Sequence, residues 1–330
     1  MPVPAASFRH RTAVLTGALV LVVAAGCGSD GAATPPAGTA SVTATSSATV
    51  SPELDKVTAT VEPGKSAKIV LPATPFTATK GYRVLTPGSG STISGDQIVT
   101  VDLLVVSGKD GKELESSYGK KPAQLSLSEP SLLADIKAAL IGQQVGAQVL
   151  IASQVSAAGQ GETSVSANDT VVFLFQVLAA RTPLKRAEGT AVPPKPGLPA
   201  VTMGATEKDP ATFVLPSPTP PTTTVAQPLI VGSGPKVVAG QRIRVSYTGV
   251  TWREPGKPFD YSGQQPGGYA EFDVGQGQLI KAWDKSLVGQ TVGSRLLLIV
   301  PPADGYGSKG SGPIKGTDTL VFVLDILDAR

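Results

Sequence analysis

The chain has 330 residues, the length of two ordinary domains, and 41% of them are hydrophobic. The 29 prolines, the 37 glycines and a charged fraction of only 16% exclude a charge-rich disordered chain and a helical bundle, and they favour strands and turns. The formal net charge is +3, and it falls to +1 if the segment that carries Arg9 and Arg11 is removed, so a nucleic-acid partner is not expected.

Histidine and cysteine are almost absent from the sequence. His10 and Cys27 are the only examples, and both lie near the N-terminus. The remaining chain therefore cannot form a Cys/His zinc site, a haem site, a Cys–His nucleophile or a Ser-His-Asp triad. We expect no metal and no cofactor, and any catalysis must use carboxylates, hydroxyls, amines, backbone groups or shape.

Residues 1–26 have the pattern of a signal peptide. A basic start over 9–11 precedes an apolar run over 13–25, which is short for a membrane span, and small residues then lead to Cys27. The ending resembles the lipobox of bacterial lipoproteins, although Ala24 stands where leucine is commonest. This resemblance implies that Cys27 is lipidated and holds the protein on the extracytoplasmic face of the cell membrane. The alternative is ordinary secretory cleavage that leaves a soluble protein.

Residues 27–52 consist mainly of Ser, Thr, Ala, Gly and Pro. A segment with so few bulky side chains cannot bury enough apolar surface to fold, so we predict a disordered tether. Later in the chain no apolar segment approaches 18 residues, so a second anchor is not expected.

The remainder of the sequence repeats itself at a spacing of about 145 residues. Several ordered matches carry this repeat: 67–72 with 211–216, 85–90 with 229–234, 140–143 with 287–290, and 170–173 with 319–322. We therefore predict two tandem copies of one fold, over 53–180 and 198–330, the second with its core at 226–330. A Pro-rich linker over 181–197 would join them.

Within each copy the pattern is mostly that of short strands. Apolar residues alternate over 242–248, an apolar strand covers 296–300, and another strand covers 319–327. Only Leu279–Val288 has helical spacing. One short α-helix packed on an antiparallel sheet is an α+β fold.

The second copy resembles the FKBP family of peptidyl-prolyl cis-trans isomerases. The family's elements appear in order as Val245-Ser246-Tyr247-Thr248-Gly249, Phe259-Asp260-Tyr261-Ser262, Phe272-Asp273-Val274-Gly275, Leu279-Ile280-Lys281-Ala282-Trp283, Val288 to Gly293, Gly305-Tyr306-Gly307 and Thr319 to Phe322. The resemblance covers about a hundred residues and implies isomerase activity.

Carried over position by position, the resemblance implies a pocket for proline. Its catalytic residues would be Tyr247, Phe259, Asp260 and Tyr306. Its substrate-binding residues would be Phe272, Leu279, Ile280, Trp283, Ile314 and Phe322, with Trp283 as the floor. Tyr306 would hydrogen-bond a substrate carbonyl. Two departures from the family are Ala270 before Phe272, and Lys315-Gly316 where the family has two prolines after isoleucine.

The rings could instead be ordinary core. However, residues 226–330 hold nine of the sixteen aromatics, whereas residues 81–181 hold four and no tryptophan. A ring set needed only for folding should occur in both copies. In the first copy Leu114 to Ser117 matches Phe259 to Ser262, Ile136 stands at the position of Trp283, and no Gly-Tyr-Gly follows. The first copy is therefore expected to be a degenerate, inactive FKBP-like domain.

Three functions remain open from the sequence. The first is a proline isomerase that assists the folding of exported proteins at the membrane surface, with Pro-containing polypeptides as partners and macrolide immunosuppressants as further ligands. The second is a non-catalytic, chaperone-like lipoprotein that binds Pro-containing segments. The third is a surface spacer with two inert domains, and the uneven distribution of rings argues against it.

Overall fold

The computed structural model describes residues 51–62, 64–154 and 169–330. The predicted signal peptide, Cys27 and nearly all of the predicted tether lie outside these residues. The described chain falls into two compact units, an N-terminal unit over 51–182 and a C-terminal unit over 183–330. Among the described residues no helix is long and apolar enough to cross a membrane.

The N-terminal unit is an antiparallel sheet with one short helix. Its elements are a 3-10 helix Pro52–Lys56, β1 Thr58–Glu62, β2 Ser66–Val70, β3 Gly81–Thr86, β4 Ile98–Ser107, β5 Glu113–Ser116, β6 Ala123–Ser126, α1 Ala134–Leu140, β7 Gln148–Gln154 and β8 Thr170–Arg181. The strand order is β3-β7-β8-β4-β5, β6 pairs with β4, and β1-β2 forms a separate hairpin. Ser51 is buried and Pro52 begins the 3-10 helix, so this unit includes two residues that were predicted as tether.

The C-terminal unit has the same arrangement. Its elements are β9 Gly189–Ala191, β10 Ala200–Thr202, β11 Thr212–Val214, β12 Val225–Gly232, β13 Arg242–Thr251, β14 Glu254–Tyr261, β15 Ala270–Asp273, α2 Lys281–Leu287, β16 Arg295–Val300 and β17 Leu320–Ala329, with 3-10 helices at Ser262–Gln264, Pro302–Asp304 and Gly307–Lys309. The strand order is β14-β13-β17-β16-β12-β9, and β15 pairs with β13. The predicted α+β fold is confirmed.

The strand registers show that the two units are copies of one fold. Val105 pairs with Phe173 in the N-terminal unit, and Gly249 pairs with Phe322 in the C-terminal unit. Register shifts occur at the same places, after Thr100 in β4 and after Arg244 in β13. Because a β-bulge is a specific local feature of a strand, its recurrence at matched positions supports the predicted duplication.

Each sheet buries both of its faces. One face packs on the short helix, around Ile136 in one unit and Trp283 in the other. The opposite face is covered by a separate hairpin, β1-β2 with Ile69 in one unit and β10-β11 with Phe213 in the other. The sequence analysis predicted only the helical cover.

The predicted linker over 181–197 contains secondary structure. Its residues Gly189–Ala191 form β9, which pairs with the outer edge of β12. The N–H groups of Leu184 and Glu188 also donate to the carbonyls of Leu327 and Gly293. The edge of β12 would otherwise leave N–H and C=O groups unpaired, and the approaching chain satisfies them. The segment therefore differs from a free linker.

The two sheets differ in charge on the face that points away from the short helix, here called the helix-distal face. In the C-terminal unit Glu271 forms ion pairs with Arg242, Arg244 and Arg330, and Arg295 makes a two-pronged ion pair with the buried Asp325. Four of the matching registers in the N-terminal unit hold neutral residues: Thr100 and Gln124 pair across β4 and β6, and the Gln148 side chain donates to that of Gln176. Arg181 stands at the register of Arg330.

Candidate active site

The aromatic residues of the C-terminal unit meet around Trp283, which α2 places against the sheet. The ring of Trp283 is in edge-to-face contact with Tyr247 from β13, with Phe272 from β15 and with Phe322 from β17, at centroid distances of 5.3, 5.5 and 5.4 Å. Phe259 from β14 packs edge-to-face on Phe322 at 5.6 Å. Each such pair adds about 0.5–1.5 kcal/mol beyond its buried area, so the arrangement is well determined.

The ten predicted site residues lie together in the structure. Trp283, Ile314 and Phe322 are buried in the helix-side core. Six others pack against that core but stay partly exposed, namely Tyr247, Phe259, Phe272, Leu279, Ile280 and Tyr306. Asp260 joins the group through a hydrogen bond to Tyr247. Rings with one buried and one accessible side form an apolar wall that a ligand can contact.

Tyr247 and Asp260 are the polar pair of this wall. The Tyr247 hydroxyl donates to Asp260 Oδ2 at 2.7 Å. Burial raises the pKa of Tyr247, and the hydrogen bond and the charge of Asp260 raise it further. Tyr247 therefore stays neutral and keeps donating at physiological pH, which fixes the carboxylate beside the rings.

Tyr306 has a hydroxyl without such a partner. It lies in the loop that follows Pro302–Asp304 and packs partly against the same core. Burial raises its pKa, and the charge of Asp260 adds to the effect. No hydrogen bond joins the Tyr306 hydroxyl to any described residue. A neutral phenol in this position can donate to the carbonyl of a bound ligand.

The start of α2 is shaped by an aspartate within the helix. Asp284 accepts hydrogen bonds from the N–H groups of Gly275 and Gly277, at 2.7 and 2.8 Å. This holds the preceding loop against the helix and leads the chain into Leu279 and Ile280. Ile280 is the N-cap residue of α2 and packs against the core.

Gly249 supports the site, although the sequence analysis did not identify it as a site residue. It pairs with Phe322 in β17 and with Asp260 in β14, below the rings of Phe259 and Phe322. A β-carbon at Gly249 would lie 2.7 Å from the Phe322 ring and 2.8 Å from the Phe259 ring. A glycine inside a strand signals a close approach of this kind. The N-terminal unit has Val105 at this register.

Ser262 is a second residue that sequence reasoning did not assign. Its hydroxyl accepts from the Tyr247 N–H at 3.0 Å and donates to the Gly268 carbonyl at 2.9 Å. The loop over 262–268 is thereby fixed to the strand that carries Tyr247. In the N-terminal unit Ser117 accepts from Leu103 N–H in the same way, at 2.9 Å. The bond therefore belongs to the fold and does not depend on the rings.

The N-terminal unit lacks most of the site's aromatic rings at the matched registers. These rings, here called the ring set, are Tyr247, Phe259, Phe272, Trp283 and Phe322. The equivalents of Tyr247, Phe259, Asp260, Phe272, Trp283 and Phe322 are Leu103, Leu114, Glu115, Leu125, Ile136 and Phe173. Only the last position keeps a ring. Burial raises the pKa of Glu115, and the nearby Lys120 opposes this. Aliphatic side chains thus fill the space that the rings line in the C-terminal unit.

No metal-binding group is found in the described part of the chain, since nowhere in it do three His, Cys, Asp or Glu side chains come together. The groups that the site presents are the rings, two phenols, one carboxylate and the backbone.

Known proteins resemble the region that carries the ring set. Residues 234–327 match the family of FKBP-type peptidyl-prolyl cis-trans isomerases. "FK506-binding protein 2" of Aspergillus oryzae is 38% identical over 94 residues, which are 28% of this chain and 67% of that protein. An "FK506-binding protein" of Streptomyces anulatus is 37% identical over 110 residues, 33% of this chain and 87% of that protein. The crystal structure of FkpA from Escherichia coli matches at 30% identity, with a TM-score of 0.29, over 32% of this chain and 48% of that one.

The family match and these relatives place the chain in the class of FKBP-type peptidyl-prolyl cis-trans isomerases. The chain belongs to the FKBP family, as its motifs predicted, and the matching region lies wholly within the C-terminal unit.

Proposed function

We propose that the C-terminal unit isomerises X–Pro bonds of client polypeptides bound in the aromatic site around Trp283. One observation carries the proposal. The rings and the Tyr247–Asp260 pair occur together in the unit that matches the family, while the same fold in the N-terminal unit has aliphatic residues at four of the matched positions and keeps one ring.

The reaction needs no bond to be made or broken. Rotation about an X–Pro bond has a barrier of about 18–20 kcal/mol because twisting destroys the amide resonance. The planar amide is the more polar form, and water stabilises it. An apolar site removes that water and can favour the twisted form by its shape. A thousandfold acceleration requires only about 4 kcal/mol.

Each site residue has a part in this proposal. Trp283, Phe272 and Phe322 form the floor and inner wall for the proline ring, and Leu279, Ile280 and Ile314 complete the wall. Phe259 lies at the accessible side. The Tyr306 hydroxyl and the Ile280 N–H would donate to carbonyls that flank the proline. Asp260, held by Tyr247, would meet the carbon of the twisted carbonyl electrostatically.

The substitution Phe259→Ala removes one aromatic ring of the site and tests the assignment in the full chain. We expect proline-isomerisation activity on a short peptide to fall by about tenfold or more, with a loss of stability below the 3–5 kcal/mol typical of a core phenylalanine. The matched control is Leu114→Ala at the same register of the N-terminal unit, which should keep full activity. Equal activity of the wild type and Phe259→Ala would refute the proposal.

A binding module without turnover is the other outcome that this assay can reveal. The wild type would then bind Pro-containing peptides through the same rings, and Phe259→Ala would weaken binding, while isomerisation stayed at the uncatalysed rate. The relatives bear the name of FK506, and we propose that a macrolide of this type competes with the peptide for the site.

We also propose that the protein acts on exported clients from the extracytoplasmic face of the cell membrane, anchored through a lipid on Cys27. The sequence before Cys27 supports this, and Cys27 itself lies outside the described residues. One saturated acyl chain contributes about 0.8 kcal/mol per buried methylene, so several chains hold a protein firmly. The native protein should partition with membranes, and Cys27→Ala should release it. An unmodified N-terminus in mass spectrometry would contradict the anchor.

A further inference from the structure

The connection between β10 and β11 reaches the loop that follows the active-site strand β14. This connection covers residues 203–211, and its turn over 204–209 lies against the loop over 262–268. A β-carbon at Gly263 would collide with the carbonyl oxygen of Lys208, and one at Gly268 would lie 3.2 Å from the carbonyl oxygen of Glu207. Backbone therefore rests directly on backbone at this junction.

One arginine holds the turn in this place. The Arg186 guanidinium donates to the carbonyls of Gly204 at 2.9 Å and Ala205 at 2.6 Å. Arg186 itself is fixed to β17 because Leu184 N–H donates to Leu327 O and Ala187 N–H donates to the buried Asp325 carboxylate at 2.8 Å. The Arg186 side chain thus links the turn to β17 in the sheet.

Few other contacts fix the turn. Its far end is tied by the Ala211 N–H, which donates to the Thr248 hydroxyl at 2.9 Å. Between these two ties a cleft separates the turn from the sheet, lined by Thr206, Ser246 and Tyr261 among others. Because the turn crosses this cleft, Arg186 and Ala211 contribute to holding it against the loop.

The loop on which the turn rests leads directly to the active site. Ser262 in that loop bonds both Tyr247 N–H and the Gly268 carbonyl, and Asp260, two residues earlier, accepts from the Tyr247 hydroxyl. We infer that Arg186 is a positioning residue: by holding the turn over 204–209 against the loop over 262–268, it fixes the Tyr247–Asp260 pair from outside the aromatic site. The inference rests on the proposed isomerase function.

Arg186→Ala in the full chain tests the inference, and the N-terminal unit supplies a matched control. There the Arg83 guanidinium likewise donates to two carbonyls, those of Leu54 and Val57. Arg83→Ala loses the same kind of contact in the unit without the ring set. Both variants should stay folded, as unchanged hydrogen exchange of β16 and β17 in Arg186→Ala and of β7 and β8 in Arg83→Ala would verify.

The first measurement is hydrogen exchange in the loop, which does not depend on activity. Gln265 and Gly268 N–H donate within the loop, to Ser262 O and Gln265 O. In Arg186→Ala these amides should exchange about tenfold faster because local opening becomes easier. Arg83→Ala should leave them unchanged. Unchanged exchange in Arg186→Ala would overturn the inference.

The second measurement is kcat/KM for a proline peptide. We expect about a tenfold loss in Arg186→Ala, mainly in kcat, since small displacements of catalytic groups cost rate. Arg186→Lys, which can reach one carbonyl, should restore part of it, and Arg83→Ala should retain full activity. Gly263→Ala separates the turn over 204–209 from the loop over 262–268 from the other side. Its loss of kcat/KM should therefore not add to the loss in Arg186→Ala. Full additivity, or faster exchange with unaltered kcat/KM, would also refute the inference.

The two proposals can fail separately. A wild-type chain without isomerase activity would refute the proposed function, and hydrogen exchange would still decide whether Arg186 positions the loop. If the wild type is active and Arg186→Ala changes neither the hydrogen exchange of the loop nor kcat/KM, only the inference is refuted.

Discussion

The hydroxyl of Tyr306 is the single polar atom of the site that can be removed with little change in packing. The ring is partly exposed, and no described residue accepts from its hydroxyl. Tyr306→Phe should therefore keep the free energy of unfolding within about 0.5 kcal/mol. If the hydroxyl holds a substrate carbonyl, peptide binding should weaken by about 0.5–1.5 kcal/mol, the net contribution of a neutral hydrogen bond. Thermal unfolding and peptide titration measure the two effects, and unchanged binding would contradict the assignment.

Gly249 provides a steric test at the same scale. Gly249→Ala places a carbon within 2.8 Å of both phenylalanine rings, and Phe322 cannot yield because Trp283 lies against it. Phe259 should then move into the ligand site, so that affinity for a proline peptide falls by about tenfold, with an overpacking cost of about 1–3 kcal/mol.

The control for this test is Gly256→Ala in β14, because a β-carbon at Gly256 meets nothing within 4 Å. It should affect neither affinity nor stability by a measurable amount. If Gly249→Ala lost stability but bound the peptide normally, the glycine would serve only the fold.

At this scale the sequence predicted which residues lie together in the candidate site, for a physical reason. Aromatic rings and carboxylates are recognisable by residue type and motif, and all ten chosen residues lie together. Gly249 and Ser262 were not assigned because their parts depend on registers and backbone contacts between segments. The role of Arg186 could not be predicted for the same reason, because its partners are backbone carbonyls, which every residue possesses.

Among the elements, strand β15 depends on charge through Glu271 and its arginine partners. Burial opposes ionisation of Glu271, but the hydrogen bond and the charge of Arg330, together with Arg244, outweigh it and lower its pKa to about 2. A carboxyl whose pKa is lower in the folded protein stabilises the fold above its unfolded pKa of about 4.5. That contribution is lost as the pH falls from about 4.5 to about 2.

Glu271→Gln should remove this pH dependence. The variant should be less stable than the wild type at pH 7, because its buried arginines lose their carboxylate, and the difference should shrink towards pH 2. Urea unfolding of the C-terminal unit at a series of pH values measures it. A constant difference across that range would show that Glu271 does not titrate with a lowered pKa.

Elements with a strong pattern of their own were predicted well. The helix expected at 279–288 occupies Lys281–Leu287, and the strand expected at 296–300 occupies Arg295–Val300. β9 was not predicted, because Gly189-Thr190-Ala191 has no apolar alternation and becomes a strand only beside the open edge of β12. Such short edge strands are decided by the partner and not by their own residues.

At the scale of the whole molecule, the region that matches the family, 234–327, is shorter than the C-terminal unit, 183–330. The hairpin β10-β11 covers the helix-distal face of the sheet, including Val250, Trp252 and Leu297. A fragment over 226–330 contains the matching region but exposes this face. It should lose about 5 kcal/mol or more of stability, comparable with the total for a typical domain.

Comparison of three fragments tests this division. Residues 183–330 should fold cooperatively and isomerise proline peptides, residues 226–330 should bind a hydrophobic dye and aggregate, and residues 51–182 should fold without activity. Circular dichroism and the isomerisation assay distinguish them. Equal activity in 51–182 would mean that the aliphatic replacements do not abolish the site.

Gln124 of the N-terminal unit, where the C-terminal unit has Glu271, has a consequence for how the protein unfolds in acid. Gln124 has no proton to gain, whereas protonation of Glu271 removes the negative charge that its arginine partners need. Acid should therefore loosen the C-terminal unit first. An acid-active protease such as pepsin, applied at about pH 2 to 3, should then digest the half that carries the ring set and leave a resistant core from the N-terminal half.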